Sequence, residues 1–329
     1  MSNINVLQAT PNRDRSILSA VGIIAIFTAA VYFFFPDNLA LFTRIISIAL
    51  LVLSLDLVTG YCGIATLGHA ALFGAGAYAA GIASVRFSIT DPILMTIVGL
   101  FAGAIAGFFS ALVILRAKGL AQLVLSIAVV HLFHEFANKA SSWTGGSDGL
   151  SGITVSPLFG MFEFDLWGVT AFFYSATLLV VVLVLLNLIV RSPFGMLCRG
   201  IKEDPVRIEA MGASVRSNEM MMFIISGAVA GIGGALNAIS TEVVGLDSLS
   251  FTMSAEALVM LVIGGTGTLY GALIGSAAYL WFENIISAIN PFYWMSIVGI
   301  LLIVAVLFAP KGLFGLFTLW RNRMRGREK

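Results

Sequence analysis

The chain has 329 residues, 59% of them hydrophobic and only 11% charged, with a formal net charge of +1. A soluble domain carries about 25% charged residues, so this composition and a mean hydropathy of +1.00 exclude a soluble enzyme and a nucleic-acid-binding protein. Apolar runs of about 20 residues, each enough for one bilayer crossing, recur from residue 17 almost to residue 310, as in a polytopic membrane protein.

Residues 1–16, "MSNINVLQATPNRDRS", are polar. The run Ile17–Phe35 is longer than a signal-peptide core and lacks a small-residue cleavage site, so it reads as the first span rather than a leader. The runs are too long and too continuously apolar for barrel strands, which makes the fold all-α. Ten spans are expected, at 17–35, 40–59, 66–85, 92–115, 119–138, 166–190, 218–240, 254–266, 270–288 and 292–309. Together they form one transmembrane domain over 17–310, followed by a basic tail, 311–329. The eighth span is short enough for a re-entrant half-helix, but parity argues that it crosses. With Arg13 and Arg15 inside, ten crossings return the C-terminal tail to the same side. Fifteen of the eighteen basic residues then fall inside, and only Arg44, Arg86 and Lys139 lie near the outside, as the positive-inside rule requires. Both termini are therefore expected in the cytoplasm. Cys62 and Cys198 sit in an apolar segment and an inner loop, where no disulfide is expected.

Two segments break the helical pattern. "GYCGIATLGHAALFGAGAYAAG" (60–81) holds six glycines and His69, although each helical Gly costs roughly 1 kcal/mol against Ala. "IGGTGTLYGALIGSAAYLW" (263–281) repeats the design, a Gly-rich turn followed by a helix of small residues. Ala70 with Gly74, Ala77 with Gly81, and Gly271 with Gly275 stand four apart, the spacing that lets helices approach closely in lipid. Paired, Gly-interrupted segments are also the mark of transporters with broken helices along a pathway. The expected pathway or gate residues are Gly60, Gly63, Thr66, Gly68, His69, Gly74, Gly264, Gly265, Gly267 and Gly271. His69, at a helix start, serves either a structural hydrogen bond that pins the break or a substrate contact. The outer loop, 139–165, is Gly- and Ser-rich and longer than a minimal connector, so it is functional or else merely mobile.

Residues 191–217, "RSPFGMLCRGIKEDPVRIEAMGASVRS", form the largest inner loop between spans. Asp204 is an N-cap, Pro205 a first-turn proline and Gly212 a C′ stop. They bracket one short helix, "PVRIEAM", about 10 Å long. Val206, Ala210 and Met211 share an apolar face beside Arg207 and Glu209.

Motifs in this order resemble those of the inner-membrane permease subunits of branched-chain amino acid ABC importers. They are "GYCGIATLGHAALFGAGAY", "LRAKGL", "TGGSDGLSGI", "FGMLCRGIKEDPVRIEAMGASV", "IGGTGTLYGALIG" and "FAPKGLFG", and the likeness runs from about residue 40 to 315. The long outer TGG loop is similar to that of one of the family's two permease types. Asp56, Ile64 and the histidines of "VVHLFHEF" depart from the pattern. The resemblance implies a second permease subunit, two ATPase subunits and an external substrate-binding protein as partners. It also implies a location in the bacterial inner membrane, and that Asp204, Pro205, Arg207, Glu209, Ala210 and Gly212 form the helix coupled to the ATPase.

The chain has no GxxxxGK[ST] and so cannot cradle nucleotide phosphates in the P-loop manner; if ATP drives transport, a separate subunit supplies it. No cofactor or metal is expected. "GGSDG" (145–149) matches G-x-S-x-G around Ser147 but lacks the strand–turn–helix context of a nucleophile elbow. His131, His134 and Glu135 share a helix face in the wrong order for H-E-x-x-H. Of the acidic residues within spans, Glu135, Glu256 and Glu283 lie toward outer ends, where their carboxylates reach water, and Asp56 lies near an inner end. The rival reading is an ion-coupled secondary transporter that uses Asp56, His131, His134 and Glu135 as a proton relay.

Overall fold

The computed structural model describes Gly22, residues 28–164, residues 168–289 and Gly299. Among these residues the structure is all-helical apart from two isolated antiparallel bridges, Leu150 with Val244 and Leu158 with Phe162. Helix α1 (Leu39–Leu55) runs directly into a π-helical turn, Asp56–Tyr61. It is followed by α2 (His69–Phe87), α3 (Pro92–Ile114), α4 (Leu120–Lys139) and α5 (Val169–Arg191). Two short helices, α6 (Pro193–Glu203) and α7 (Pro205–Ala210), precede α8 (Val215–Thr241), α9 (Phe251–Gly264) and α10 (Leu269–Ile289). Seven helices are long and apolar enough to cross a membrane, counting α1 with its π turn as one. They match seven of the ten expected spans, and α9 occupies an eighth. The first expected span is described only in part, with residues 28–34 helical. Residues 1–16, most of the last span and the tail 311–329 lie outside the described residues.

Local chemistry sets the helix starts. Asp91 accepts a hydrogen bond from the Ile93 amide ahead of Pro92, and Ser192, Ser214 and Ser250 cap α6, α8 and α9 in the same way. Helix α1 is apolar all round, which calls for burial on every side. Leu50, Leu51 and Leu53 are indeed fully enclosed by α5, α8, α9 and α10. On α3, by contrast, Leu94, Ile97, Phe101 and Ile105 are exposed, the outward face that lipid accepts.

Helices α3 and α8 meet backbone to backbone, a contact the sequence reading did not single out. A Cβ on Gly103 would fall 2.2 Å from the Gly227 carbonyl oxygen, and one on Gly231 would fall 2.2 Å from that of Gly99. The pattern is present in the sequence as Gly99, Gly103 and Gly107 opposite Gly227 and Gly231. The stripe expected on α2 behaves differently. Gly74 makes room for Leu249 and Gly81 for Leu150 and Ile153, whereas Ala77 lies against α8, where a Cβ on Gly234 would fall 2.7 Å from its nitrogen, and Gly76, off that stripe, meets the backbone of Gly231. On α10 the expectation holds: Gly271 and Gly275 both press against Gly264 of α9.

At 14 residues α9 is about 21 Å long, too short for a hydrocarbon core of about 30 Å. The segment 242–250, which includes a 3-10 turn at Leu246–Leu249, completes its run. Val244 pairs with Leu150 at one end of the bundle, Leu249 packs on Gly74, and the α9–α10 turn reaches Gly60 at the other end. The segment therefore passes from end to end. The loop 140–164 is packed rather than loose. Ser84 Oγ donates to the Thr154 carbonyl (2.8 Å) and accepts from its amide (3.0 Å), and Leu150 and Ile153 are buried beside Tyr78.

Because the α3–α8 contact is backbone against backbone, neither helix can yield to an added methyl without moving. Gly231→Ala and Gly103→Ala should each destabilise the purified protein by about 1–3 kcal/mol, measured as a lower thermal unfolding midpoint in detergent.

Candidate functional site

The π turn at the end of α1 is the point where the first glycine segment, the second glycine segment and the α6–α7 hairpin meet. After Tyr61 the chain does not turn at the helix end, as the sequence suggested. Residues 62–68 climb back into the bundle in non-helical conformation, and α2 begins at His69. His69 Nε2 lies 2.8 Å from Ser226 Oγ, whose own proton goes to the Ser54 carbonyl at 2.8 Å. Ser226 therefore accepts from His69, which fixes the Nε2–H tautomer. Ser54 precedes Tyr61 by seven residues, so α2 starts about 10 Å inside the bundle. His69 is buried, and it pins the break to α8.

Backbone groups at that depth have to be satisfied by protein. The Ile64 amide donates to the Val58 carbonyl (3.1 Å), and Thr59 Oγ1 donates to the Ile64 carbonyl (3.0 Å). The Leu67 amide donates to Ser126 Oγ (2.9 Å), that of Gly68 to Thr66 Oγ1 (3.1 Å), and that of Ala70 to Ser254 Oγ (3.0 Å). Thr66 and Gly68 thus hold the unwound backbone itself.

The second break lies between α9 and α10, where Gly265 and Gly267 adopt φ of 108° and 78°. The two breaks are joined through Asp56, whose Oδ1 accepts from the Gly267 amide at 2.6 Å. Asp56 is 0% exposed, and its Oδ2 has no hydrogen-bond partner. Gly60 has to be glycine, since a Cβ there would lie 2.0 Å from Asp56 Oδ1 and 2.5 Å from the Gly267 nitrogen. Of the ten residues expected on a pathway, nine gather at these two breaks. Gly74 stands apart, under Leu249.

The inner loop holds two helices rather than the single one expected. Asp204 caps α7 by accepting from the Arg207 amide (3.1 Å). At the other end the Gly212 amide donates to the Glu209 carbonyl (2.9 Å) and the Ala213 amide to that of Ile208 (3.3 Å), a Schellman stop with Gly212 at φ 88°. No α7 residue is buried, and Val206 and Met211 are 73% and 74% exposed. Ile208 instead leans on Gly200 of α6. The cap at Ser192 followed by Pro193 signals α6 as plainly as Asp204 and Pro205 signal α7.

Helix α6 in turn grips the π turn. The Arg199 guanidinium stands 4.9 Å from the Tyr61 ring centroid, Lys202 Nζ donates to the Gly60 carbonyl at 2.6 Å, and Cys198 stands buried beside Cys62. A cavity of about 210 Å³ opens next to this contact, between Gly63, Ile64, Lys118, Lys202 and Glu219.

The family described as branched-chain amino acid transport system / permease component matches residues 38–307, an interval that contains every group just described. The chain belongs to this family. The permease is 27% identical over 285 residues to the high-affinity branched-chain amino acid transport system permease protein LivM of Escherichia coli K12, an alignment that covers 80% of this chain and 67% of the relative. It is 27% identical over 286 residues to the LivM protein of Salmonella typhimurium LT2, with the same coverage. It is 28% identical over 172 residues to a probable LivH permease of Methanocaldococcus jannaschii, covering 48% of this chain and 53% of that one. No solved structure matched the permease.

The remaining candidates lie elsewhere. His131 stacks on Phe251 (centroids 6.5 Å apart), and among the described residues no three His, Cys, Asp or Glu gather as metal ligands. Ser147 is exposed in a 3-10 turn, with Asp148 Oδ1 3.3 Å away and no strand before it. Glu283 pairs with Arg44 at 3.4 Å instead of reaching water alone.

If His69 and Ser226 form one structural unit, His69→Ala and Ser226→Ala will not be additive. A double-mutant cycle on thermal stability should give a coupling of about 0.6–1.7 kcal/mol, whereas a zero coupling would separate the two side chains.

Proposed function

We propose that the permease is a membrane subunit of an ATP-driven importer for branched-chain amino acids or related small amino acids and amides. It works with a second permease subunit, two ATPase subunits and an external substrate-binding protein, in the bacterial cytoplasmic membrane. The observation that carries this reading is α7, a helix capped at both ends whose Val206 and C-cap residue Met211 stand in the open at an end of the bundle rich in cations. Exposed apolar residues on a rigid element beside Arg207 and Glu209 suit a docking site. Arg116, Lys118 and the cations of 191–216 share that end, which supports a cytoplasmic position for it, and ten crossings then return both termini to the same side. Nucleotide hydrolysis falls to the partner ATPases, since this chain lacks a phosphate-binding loop.

In this reading, closure of the ATPases pushes α7. Ile208 passes the displacement to α6 at Gly200, and α6 passes it to the π turn. The broken pairs α1–α2 and α9–α10, joined by Asp56 and Gly267, then tilt to alternate access along a path at the Gly60–His69 and Gly264–Gly271 breaks. A proton relay has less support: Asp56 is tied to the α9–α10 turn, whereas His131 stacks on Phe251 of α9.

Glu209→Lys and Val206→Asp should abolish co-purification of the ATPase subunits and ATP-driven uptake while leaving membrane insertion intact. Normal uptake in both variants would refute docking at α7.

A further inference from the structure

Lys202 lies outside the α7 segment, yet its surroundings are built for it. Its ammonium donates to the Gly60 carbonyl at 2.6 Å. That carbonyl sits where the helix ends and no following turn satisfies it, a position that favours a cation. The lysine stem crosses Gly63, at φ 75°, and a Cβ there would lie 2.8 Å from Lys202 Cγ. The groove for the stem therefore exists because residue 63 is glycine. One turn before Gly60, Asp56 presents Oδ2, which is buried and unpartnered. A buried carboxylate oxygen without a partner is costly and calls for an explanation. The charge of Lys202 acts on Asp56, but the two do not form an ion pair within 4.0 Å in this conformation.

We propose that Lys202 is the residue through which α6 drives the π turn: its ammonium holds the Gly60 carbonyl in the present conformation and passes to Asp56 Oδ2 when α6 is displaced. The proposal rests on the importer reading for the source of the displacement. It accounts for the orphaned oxygen as an acceptor left open for the second position. It also accounts for two glycines at once, with Gly60 giving space to the carboxylate and Gly63 to the lysine stem. Asp56 Oδ1 stays on Gly267 throughout, so the transfer would bring the second break along with the first. Lys202 is a positioning residue here, since nothing places it against substrate.

The test uses the full permease in two settings. In detergent and without partners, Lys202→Met should raise amide exchange over residues 57–64 and leave α3 and α8 unchanged. Exchange equal to wild type would overturn the latch whatever the protein transports. In proteoliposomes with both permeases, the ATPases and the binding protein, Lys202→Met should retain ATPase association and hydrolysis. Its uptake per ATP should fall about tenfold, as loss of a charged hydrogen bond implies. Lys202→Arg should restore most of the coupling, and Asp56→Asn, which keeps an oxygen for Gly267, should be uncoupled like Lys202→Met. Wild-type uptake per ATP in Lys202→Met, or loss of ATPase association, would refute the proposal. Absence of ATP-driven uptake by the wild-type complex would instead refute the importer reading, and the exchange result would stand apart from it.

Discussion

The bilayer core offers no water to a peptide group, and the two places where this chain unwinds at depth are organised by that single constraint. Residues 62–68 stay non-helical with help from protein partners for the amides of Ile64, Leu67 and Gly68 and the carbonyl of Ile64. Among the partners are short hydroxyl side chains: Ser126 from α4, Thr59 from the π turn and Thr66 from the segment itself, with Ser254 from α9 taking the Ala70 amide where α2 begins. Asp56 does the same for the α9–α10 turn. The bonds of Ser126, Ser254 and Asp56 each tie separate elements together, so satisfying the break also helps to set the positions of α1, α2, α4, α9 and α10. His69 adds the tie to α8 through Ser226.

Glycine serves two separate purposes in this setting. Along α3 and α8 it removes side chains so that backbones can meet, which makes a stiff pair. At Gly60 and Gly63 it removes side chains so that a carboxylate and a lysine stem can enter. The first use resists movement, and the second leaves polar groups that can exchange partners. A composition count treats all of these glycines alike.

The sequence is most legible where the physics is local. Span positions follow from apolar run length, and the α7 cap and stop follow from Asp204, Pro205 and Gly212, because each signal lies within a few residues of its effect. The pairing of the two glycine segments is legible too, and the structure joins them at Gly60 and Gly267. The climb of residues 62–68 into the bundle is not legible, because it depends on Ser126, Ser226 and Ser254, which lie from 59 to 184 residues away from their partners. The grip of α6 is hidden for a related reason. Arg199 and Lys202 look like ordinary inner-loop cations until Tyr61 and the Gly60 carbonyl are brought beside them. Asp56 was conspicuous as a buried charge, but its partner is a backbone amide, which has no signature in a sequence.

The position of the π turn bears on how displacement at one end can reach the pathway. Most of α1 is enclosed on every side and anchored in the core, so a push on its middle would be absorbed by packing. Its last six residues are wound as a π-helix, a form that occurs in short pieces, often at functional sites, because its wider turn is a poorer use of backbone hydrogen bonds. Helix α6 contacts this π turn through Arg199 on Tyr61 and Lys202 on Gly60. In the proposed importer cycle a modest shift of α6 acts first on this turn and, through Leu57, Val58 and Tyr61, on the core beside it. Because Asp56 opens the turn and holds Gly267, any rewinding is felt at once in the α9–α10 break. In the proposed importer cycle the α3–α8 pair, tied to α2 at Gly76 and Gly231, supplies the frame against which the two breaks would move.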